Sequence, residues 1–276
     1  MKKILIPTDF STANEKAIDA ILKLFKHEVC EFYFLHAYTF SVNGLDALEL
    51  LHADEEWYEK PKQESESKLG KLIERCISLS KVESHNFHAI TECSSLVNAV
   101  KKHQAHLGVD LVLLTSGGNK KVEKTNDEIL NSVRDCPILI IPSNVKLGKR
   151  LSLTIASNFK QKLNNEQLDQ FRKSLGGLEV EIGILVLEEE HKLSEQIKDN
   201  IEAFMLYLSK FQNAHVDLKY AKTNNQLKAY AQSHRNEIMC VVDKKPNFFR
   251  KIGLFKSDVI LKLKQLNTNT VLTLHQ

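Results

Sequence analysis

The chain has 276 residues, of which 42% are apolar and 26% charged, and its net charge is +3. This length suits two globular domains that each bury their own core. The weak net charge gives no argument for a nucleic-acid partner, and no apolar run is long enough for a membrane span.

The N-terminal half alternates short apolar strands with amphipathic helices. Met1-Lys2-Lys3 leads directly into the first strand without a signal-peptide pattern, so we expect a cytoplasmic protein. Thr12 and Glu15 have the spacing of a capping box, and Pro61 predicts a broken or kinked helix over 45–80. Apolar periodicity predicts strands at 4–7, 32–37, 85–90, 110–115 and 137–142, with helices from Thr12, at 96–106 and at about 126–134.

The C-terminal half repeats this order after a polar linker at about 143–150. We therefore predict two domains, 1–143 and 151–276. Because several strands are apolar on both faces, the expected architecture is α/β, with two tandem five-stranded, mostly parallel sheets that carry helices on both faces. The predicted strands are 152–156, 180–187, 215–220, 237–242 and 270–274, and the predicted helices are 165–174, 193–208, 224–234 and 257–266.

Three segments of the first half recur in the second half in the same order. Residues 3–11 match 152–160, so that Thr8-Asp9-Phe10 corresponds to Ser157-Asn158-Phe159. Residues 110–116 match 237–243, and 137–142 match 270–275. The chain is therefore two copies of one domain. We expect the two terminal strands, as exposed apolar sheet edges, to meet across a pseudo-twofold axis and make an intramolecular pseudo-dimer.

Residues 4–11, 110–114 and 135–142 resemble the universal stress protein family, in the form that has two domains in one chain. The resemblance implies small α/β domains related to the adenine nucleotide α-hydrolases. It also implies that such domains dimerise, that some bind ATP, and that they support survival under stress.

ATP-binding members of this family carry a loop of the form G-x2-G-x9-G-[ST] after the fourth strand. Glycines allow backbone N–H groups to approach phosphates closely, and the loop leads into a helix N-terminus that favours anions. Here the first-half loop, 116–125, is about five residues shorter, and Lys124 replaces its last glycine. The second-half loop keeps its length, but Asp243, Pro246 and Lys256 replace its glycines. The resemblance thus predicts degenerate nucleotide sites in both halves.

The first half retains the better candidate for a nucleotide or anion site. The resemblance assigns this site to Thr8, Asp9, Ser116, Gly117, Gly118 and Thr125. Asp9 can accept hydrogen bonds from a base or sugar, and Lys120, Lys121 and Lys124 favour an anion. In the second half Asn158 replaces the acid, and we expect Phe248 and Phe249 to fill the cleft. ATP or AMP is the candidate ligand, and no cofactor is required.

Other chemistry is less well supported by the residue pattern. Asp9, Ser11 and His36 suggest a nucleophile and a base, but no G-x-S-x-G elbow accompanies them, so we expect no catalytic residues. His103 and His106 lack an acid or cysteine nearby in sequence, and five scattered cysteines form no C-x-x-C pair, so we expect no metal site. Trp57-Tyr58 could cap the core or contact a partner.

Three functions remain open at this point. The preferred one is a non-enzymatic stress-response protein that binds or regulates, with degenerate nucleotide sites and a small anionic ligand or a protein as partner. No nucleic acid or membrane is expected, and a further homodimer is compatible with the pattern. The alternative is an ATP- or AMP-binding protein that uses its first domain. The third is an α-hydrolase-type enzyme, which needs an intact glycine-rich loop.

Overall fold

The computed structural model describes residues 1–40, 55–80, 84–116, 120–144, 151–175, 180–210, 216–243 and 269–275. The first half contains β1 (Lys2–Pro7), α1 (Thr12–Leu24), β2 (Cys30–Tyr38), α2 (Glu55–Ser80), β3 (His85–Cys93), α3 (Leu96–Leu107), β4 (Leu111–Ser116), α4 (Lys120–Ser132) and β5 (Ile138–Pro142). The second half contains β6 (Leu151–Ser157), α5 (Glu166–Leu175), β7 (Val180–Val186), a 3₁₀ turn (Glu190–Lys192), α6 (Glu195–Leu208), β8 (Val216–Tyr220), α7 (Asn224–Ser233), β9 (Ile238–Asp243) and β10 (Thr270–His275). The strand and helix order predicted for these segments is confirmed.

All ten strands form one sheet in the order β3-β2-β1-β4-β5-β10-β9-β6-β7-β8. The expectation of two tandem five-stranded sheets is therefore wrong in the number of sheets, because the two are joined into one. β5 pairs antiparallel with β10, with Ile140 opposite Val271, which confirms that the two terminal strands meet. The pairing satisfies the backbone groups of two apolar edges that would otherwise be exposed. Every other strand pair is parallel.

The antiparallel pairing of β5 with β10 determines at which edge of the sheet each half can form a ligand site. Because β5 and β10 run in opposite directions, the parallel strands of the two halves also run in opposite directions. Their carboxyl ends, where α/β proteins bind ligands, thus lie at opposite edges of the sheet. Helices α1, α2, α5 and α6 cover one face of the sheet, and α3, α4 and α7 cover the other.

Several local predictions need correction. Ser11 caps α1, since its hydroxyl accepts from the backbone N–H of Asn14 (3.2 Å), so the capping box at Thr12 is wrong. Helix α2 continues through Pro61, so the predicted break is wrong and the predicted kink stays a prediction. Helix α4 starts at Lys120 rather than near residue 126. The predicted helix 257–266 and most of the linker lie outside the described residues, and the domain boundaries stay a prediction.

Within the described ranges, no helix is long and apolar enough to cross a membrane.

Candidate ligand site

The turn after β1 holds an unusual backbone conformation. Phe10 has a φ of 58°, in the left-handed region that non-glycine residues rarely occupy. The Thr8 hydroxyl accepts from the backbone N–H of Phe10 (3.1 Å), and the Asp9 carboxylate accepts from that of Ser11 (2.9 Å). Such short-range bonds from side chain to backbone are what stabilise a turn of this kind.

The second half builds the same turn after β6. Phe159 has a φ of 49°, and its backbone N–H donates to the Ser157 hydroxyl (3.2 Å). The amide oxygen of Asn158 accepts from the backbone N–H of Lys160 (3.2 Å), in the place of the Asp9 carboxylate. Because an amide and a carboxylate both offer an acceptor oxygen, the turn does not require an acid. The negative charge of Asp9, which is exposed, is therefore not explained by the turn.

A buried polar network lies directly beneath the first turn. The Asn14 side chain is only 4% exposed, and its oxygen accepts from the Thr8 hydroxyl (2.7 Å). Its amide nitrogen donates to the Pro7 carbonyl (3.1 Å) and to the Thr115 hydroxyl (3.0 Å). The Asn126 amide donates to the Thr115 carbonyl (2.9 Å). These bonds tie β1, α1, β4 and α4 together at the carboxyl edge of the sheet.

The second half has apolar residues at the equivalent places. Leu168 is the third residue of α5, as Asn14 is of α1, and it is buried in the core. Val242 is the penultimate residue of β9, as Thr115 is of β4.

A cavity of about 530 Å³ opens beside Asp9, at the ends of β1 and β4. The N-terminal turns of α1, α3 and α4 reach it, and each presents partly positive backbone N–H groups. Three kinds of residue line the cavity: apolar ones (Pro7, Ala13, Ala37, Leu96, Val97, Leu114, Val122), uncharged polar ones (Thr8, Ser11, Asn14, Thr39, Ser94, Ser95, Thr115, Thr125, Asn126) and charged ones (Asp9, Lys121, Glu128). The arrangement suits a small, partly apolar ligand that both donates and accepts hydrogen bonds.

The predicted site residues fall into three groups. Thr8, Asp9 and Thr125 line the cavity, whereas Ser116 is buried and is not among the lining residues. Gly117 and Gly118 lie outside the described residues.

The lysines predicted to attract an anion are also placed differently. Lys121 lines the cavity, but the Lys124 ammonium lies 3.8 Å from the Glu128 carboxylate and is not among the lining residues. Nothing is described of the Lys120 side chain or of Phe248 and Phe249.

Several lining residues were missed by sequence reasoning. Ser95 and Asn14 belong to helix starts: Ser95 caps α3, and Asn14 lies in the first turn of α1. Their place in a cavity arises because parallel strands bring successive helix starts to one edge. Glu128 lies two turns into α4 and lines the cavity.

The structure does not assemble the candidate nucleophile–base group. His36 is absent from the cavity lining, and its Nδ1 lies 2.8 Å from the hydroxyl of Ser65, a residue of α2. His103 does have an acid partner in space, since its Nε2 lies 2.8 Å from the Glu92 carboxylate. Among the residues that the structure describes, no cluster of three or more potential ligands could hold a metal ion. The Trp57 ring stacks on Phe40, with 5.1 Å between ring centroids, and its role as a core cap or a partner contact stays a prediction.

A search with family profiles matches the Universal stress protein family to residues 1–142, just over half of the chain. The chain belongs to the universal stress protein family. Among curated protein sequences, no significant match was found.

Solved structures extend the likeness to both halves. A universal stress protein from Archaeoglobus fulgidus DSM 4304 covers 99% of this chain, with 96% of its own length, 14% identity and a TM-score of 0.69. A putative universal stress protein from Pseudomonas aeruginosa UCBPP-PA14 covers 100% of this chain, with 93% of its own length, 11% identity and a TM-score of 0.56. This universal stress protein therefore has the tandem form of the fold.

Proposed function

We propose that this tandem universal stress protein is a non-enzymatic, cytoplasmic binding or regulatory protein of the stress response with one ligand site, in its first half. The observation that carries the proposal is the cavity beside Asp9, whose walls combine the exposed carboxylate of the turn with a buried polar network. In the matching turn of the second half, Phe159 is fully buried and packs against apolar residues. The second half then serves mainly as a scaffold.

The proposal includes degenerate nucleotide sites. In the first half, three residues connect β4 to α4, which leaves little backbone to wrap around a triphosphate. The charged lining residues are two carboxylates, Asp9 and Glu128, and one ammonium, Lys121. A highly charged anion is disfavoured by this balance, whereas a neutral or singly charged ligand is compatible with it.

The absence of catalysis is part of the same proposal. The lining residues of the cavity, all of them in the described ranges, include no histidine or cysteine. The Thr8 hydroxyl donates to Asn14, and the Ser11 hydroxyl accepts from the helix it caps, so both hydroxyls take part in structural hydrogen bonds. No cofactor is required. An α-hydrolase-type activity is the least supported function, and a protein partner or a further homodimer is compatible with the cavity.

A second candidate function is binding of ATP or AMP by the first half. The cavity volume is within the usual range for small-molecule sites, and Asp9 can accept hydrogen bonds from a sugar or base. Of the two nucleotides, AMP is favoured because it needs no long phosphate loop.

The experiment compares melting temperatures with ATP, AMP and adenosine at about 1 mM, since a ligand of the native state raises its stability. We expect little or no shift with ATP. A ligand that uses the proposed site should lose its shift in Asp9→Ala and keep it in Asn158→Ala, the matched control at the equivalent turn. Mass spectrometry of molecules released from the purified protein identifies a retained ligand. A clear ATP shift that Asp9→Ala abolishes would overturn the degenerate-site proposal, and a shift lost only in Asn158→Ala would move the site to the second half.

A further inference from the structure

A histidine that the cavity does not use lies behind the Asp9 turn. His36 belongs to β2 and lies on the face of the sheet that α2 covers, whereas its neighbour Ala37 lines the cavity on the other face. The His36 ring packs against Phe10, with 4.7 Å between ring centroids. The Lys68 ammonium lies 5.9 Å from the centre of the same Phe10 ring. Phe10, the residue next to Asp9, therefore connects this histidine to the turn.

Hydrogen bonds fix the imidazole in place. His36 Nδ1 lies 2.8 Å from the Ser65 hydroxyl, which lies 2.6 Å from the Thr91 hydroxyl. Ser65 is 1% exposed, so the hydroxyl that links β2, α2 and β3 is shielded from water. Because these hydrogen bonds hold the ring, we expect protonation to change the contacts that His36 makes with its neighbours rather than to let the ring rotate freely.

The second half has no titratable group at the equivalent position. Strand register places Phe32 beside Ile4 and Ile182 beside Leu153, so Val186 corresponds to His36. Phe159 packs there against Phe204, with 5.8 Å between ring centroids. The Asn200 amide of α6 also donates to the Phe159 carbonyl (2.9 Å), so this turn is supported by neutral side chains, and the fold does not require a histidine behind it.

We propose that His36 is a positioning residue that makes the turn carrying Asp9, and with it the affinity of the cavity, depend on pH. Two charged groups act on it: Lys68 of α2 and Asp9 of the turn, while β3 contributes only the Thr91 hydroxyl. Protonation places a second cation next to Lys68, with Asp9 as the anion that attracts it. The Asp9 carboxylate then becomes less available to a ligand. The effect on affinity rests on the function proposed above, but the effect on the turn does not.

The environment keeps the imidazole neutral near pH 7. Burial lowers the pKa of His36 below its ordinary 6.5, Lys68 lowers the pKa further, and Asp9 opposes both effects. The proton is thus taken up only on acidification, which is when the turn should change.

NMR of the ligand-free protein tests the effect on the turn. Between about pH 8 and pH 5 we expect His36 to titrate with a midpoint below 6.5 and the backbone amides of Phe10 and Ser11 to shift with the same midpoint. Lys68→Met should raise the midpoint, because it removes the repelling cation. Asp9→Asn should lower it, and the amide at Asn158 indicates that this variant keeps the turn.

His36→Gln keeps a hydrogen-bonding group for Ser65 but cannot titrate, so the amide response of Phe10 and Ser11 should disappear. His27→Gln, at an exposed histidine after α1, should leave the response intact. Turn amides that do not follow His36, or that still titrate in His36→Gln, would overturn the proposal.

A second measurement connects the turn to binding, with adenosine as the probe because it is neutral over this pH range. We expect adenosine to bind about fivefold more weakly at about pH 5.5 than at about pH 8, and the difference to vanish in His36→Gln. Equal pH dependence in both proteins would contradict the proposal. If adenosine binds at neither pH, the nucleoside-type ligand is ruled out, and the titration of the free protein still decides the role of His36.

Discussion

The first and second halves of the chain build the same left-handed turn at the end of their first strand but surround it with different side chains. Around Phe10 lie His36, Lys68 and the polar network of Asn14. Around Phe159, which is fully buried, lie Phe204 and other apolar residues. The hydrogen bonds within the turn are the same in both halves.

This difference separates what the fold needs from what a ligand site needs. Both halves build the turn with a hydroxyl, an acceptor oxygen and a phenylalanine. The first half also has the negative charge of Asp9, the buried amide of Asn14 and the cavity beside them. The turn itself does not need these features. The proposed ligand site therefore depends on Asp9 and Asn14, two features of the first half that the turn itself does not need.

The largest effect is expected from the two phenylalanines of the turns. Phe159→Ala should lower the free energy of unfolding by about 4 kcal/mol, because it empties a fully buried volume. Phe10→Ala should cost about 1 to 2 kcal/mol, because Phe10 is only half-buried. Urea denaturation of both variants provides the measurement. Equal costs would show that the two turns are supported alike, against the comparison.

An intermediate effect on stability is expected when Asn14 is replaced by leucine, the residue type at the equivalent place in the second half. Asn14→Leu should lower the free energy of unfolding by about 2 to 4 kcal/mol, since the Thr8 and Thr115 hydroxyls and the Pro7 carbonyl lose a buried partner. Adding Thr115→Val, the residue at the equivalent place in β9, should recover part of this loss. Denaturant unfolding of the single and double variants measures both steps. A harmless Asn14→Leu would mean that the network does not stabilise the first half.

The smallest effect is expected from exchanging the acid and the amide. Asp9→Asn and Asn158→Asp should each change the free energy of unfolding by less than about 0.5 kcal/mol, because either side chain keeps the acceptor that the turn uses. Ligand binding, measured by calorimetry, should weaken only in Asp9→Asn. A large loss of stability in either variant would show that charge is part of the turn itself.

The sequence predicted most of the regular structure and only part of the site. Apolar runs and repeated segments located the ten strands, since burial on both faces of a sheet requires continuous apolar side chains. Helix starts were harder, as at Ser11 and Lys120, because caps and short loops depend on where the neighbouring strand ends. Thr8, Asp9 and Thr125 were placed correctly at the cavity. Asn14, Ser95 and Glu128 were not found, since their roles depend on which helix starts converge.

By itself, the sequence determined that this chain is two copies of one α/β domain, because repetition and apolar periodicity are local properties of residues. The tertiary structure decided that β5 and β10 join the copies into one sheet, a pairing of strands far apart in the chain. It also decided that the turn carrying Asp9 faces a cavity with polar walls. Burial of Asn14 and Phe159 is set by residues brought together from distant elements, and no local pattern contains that information.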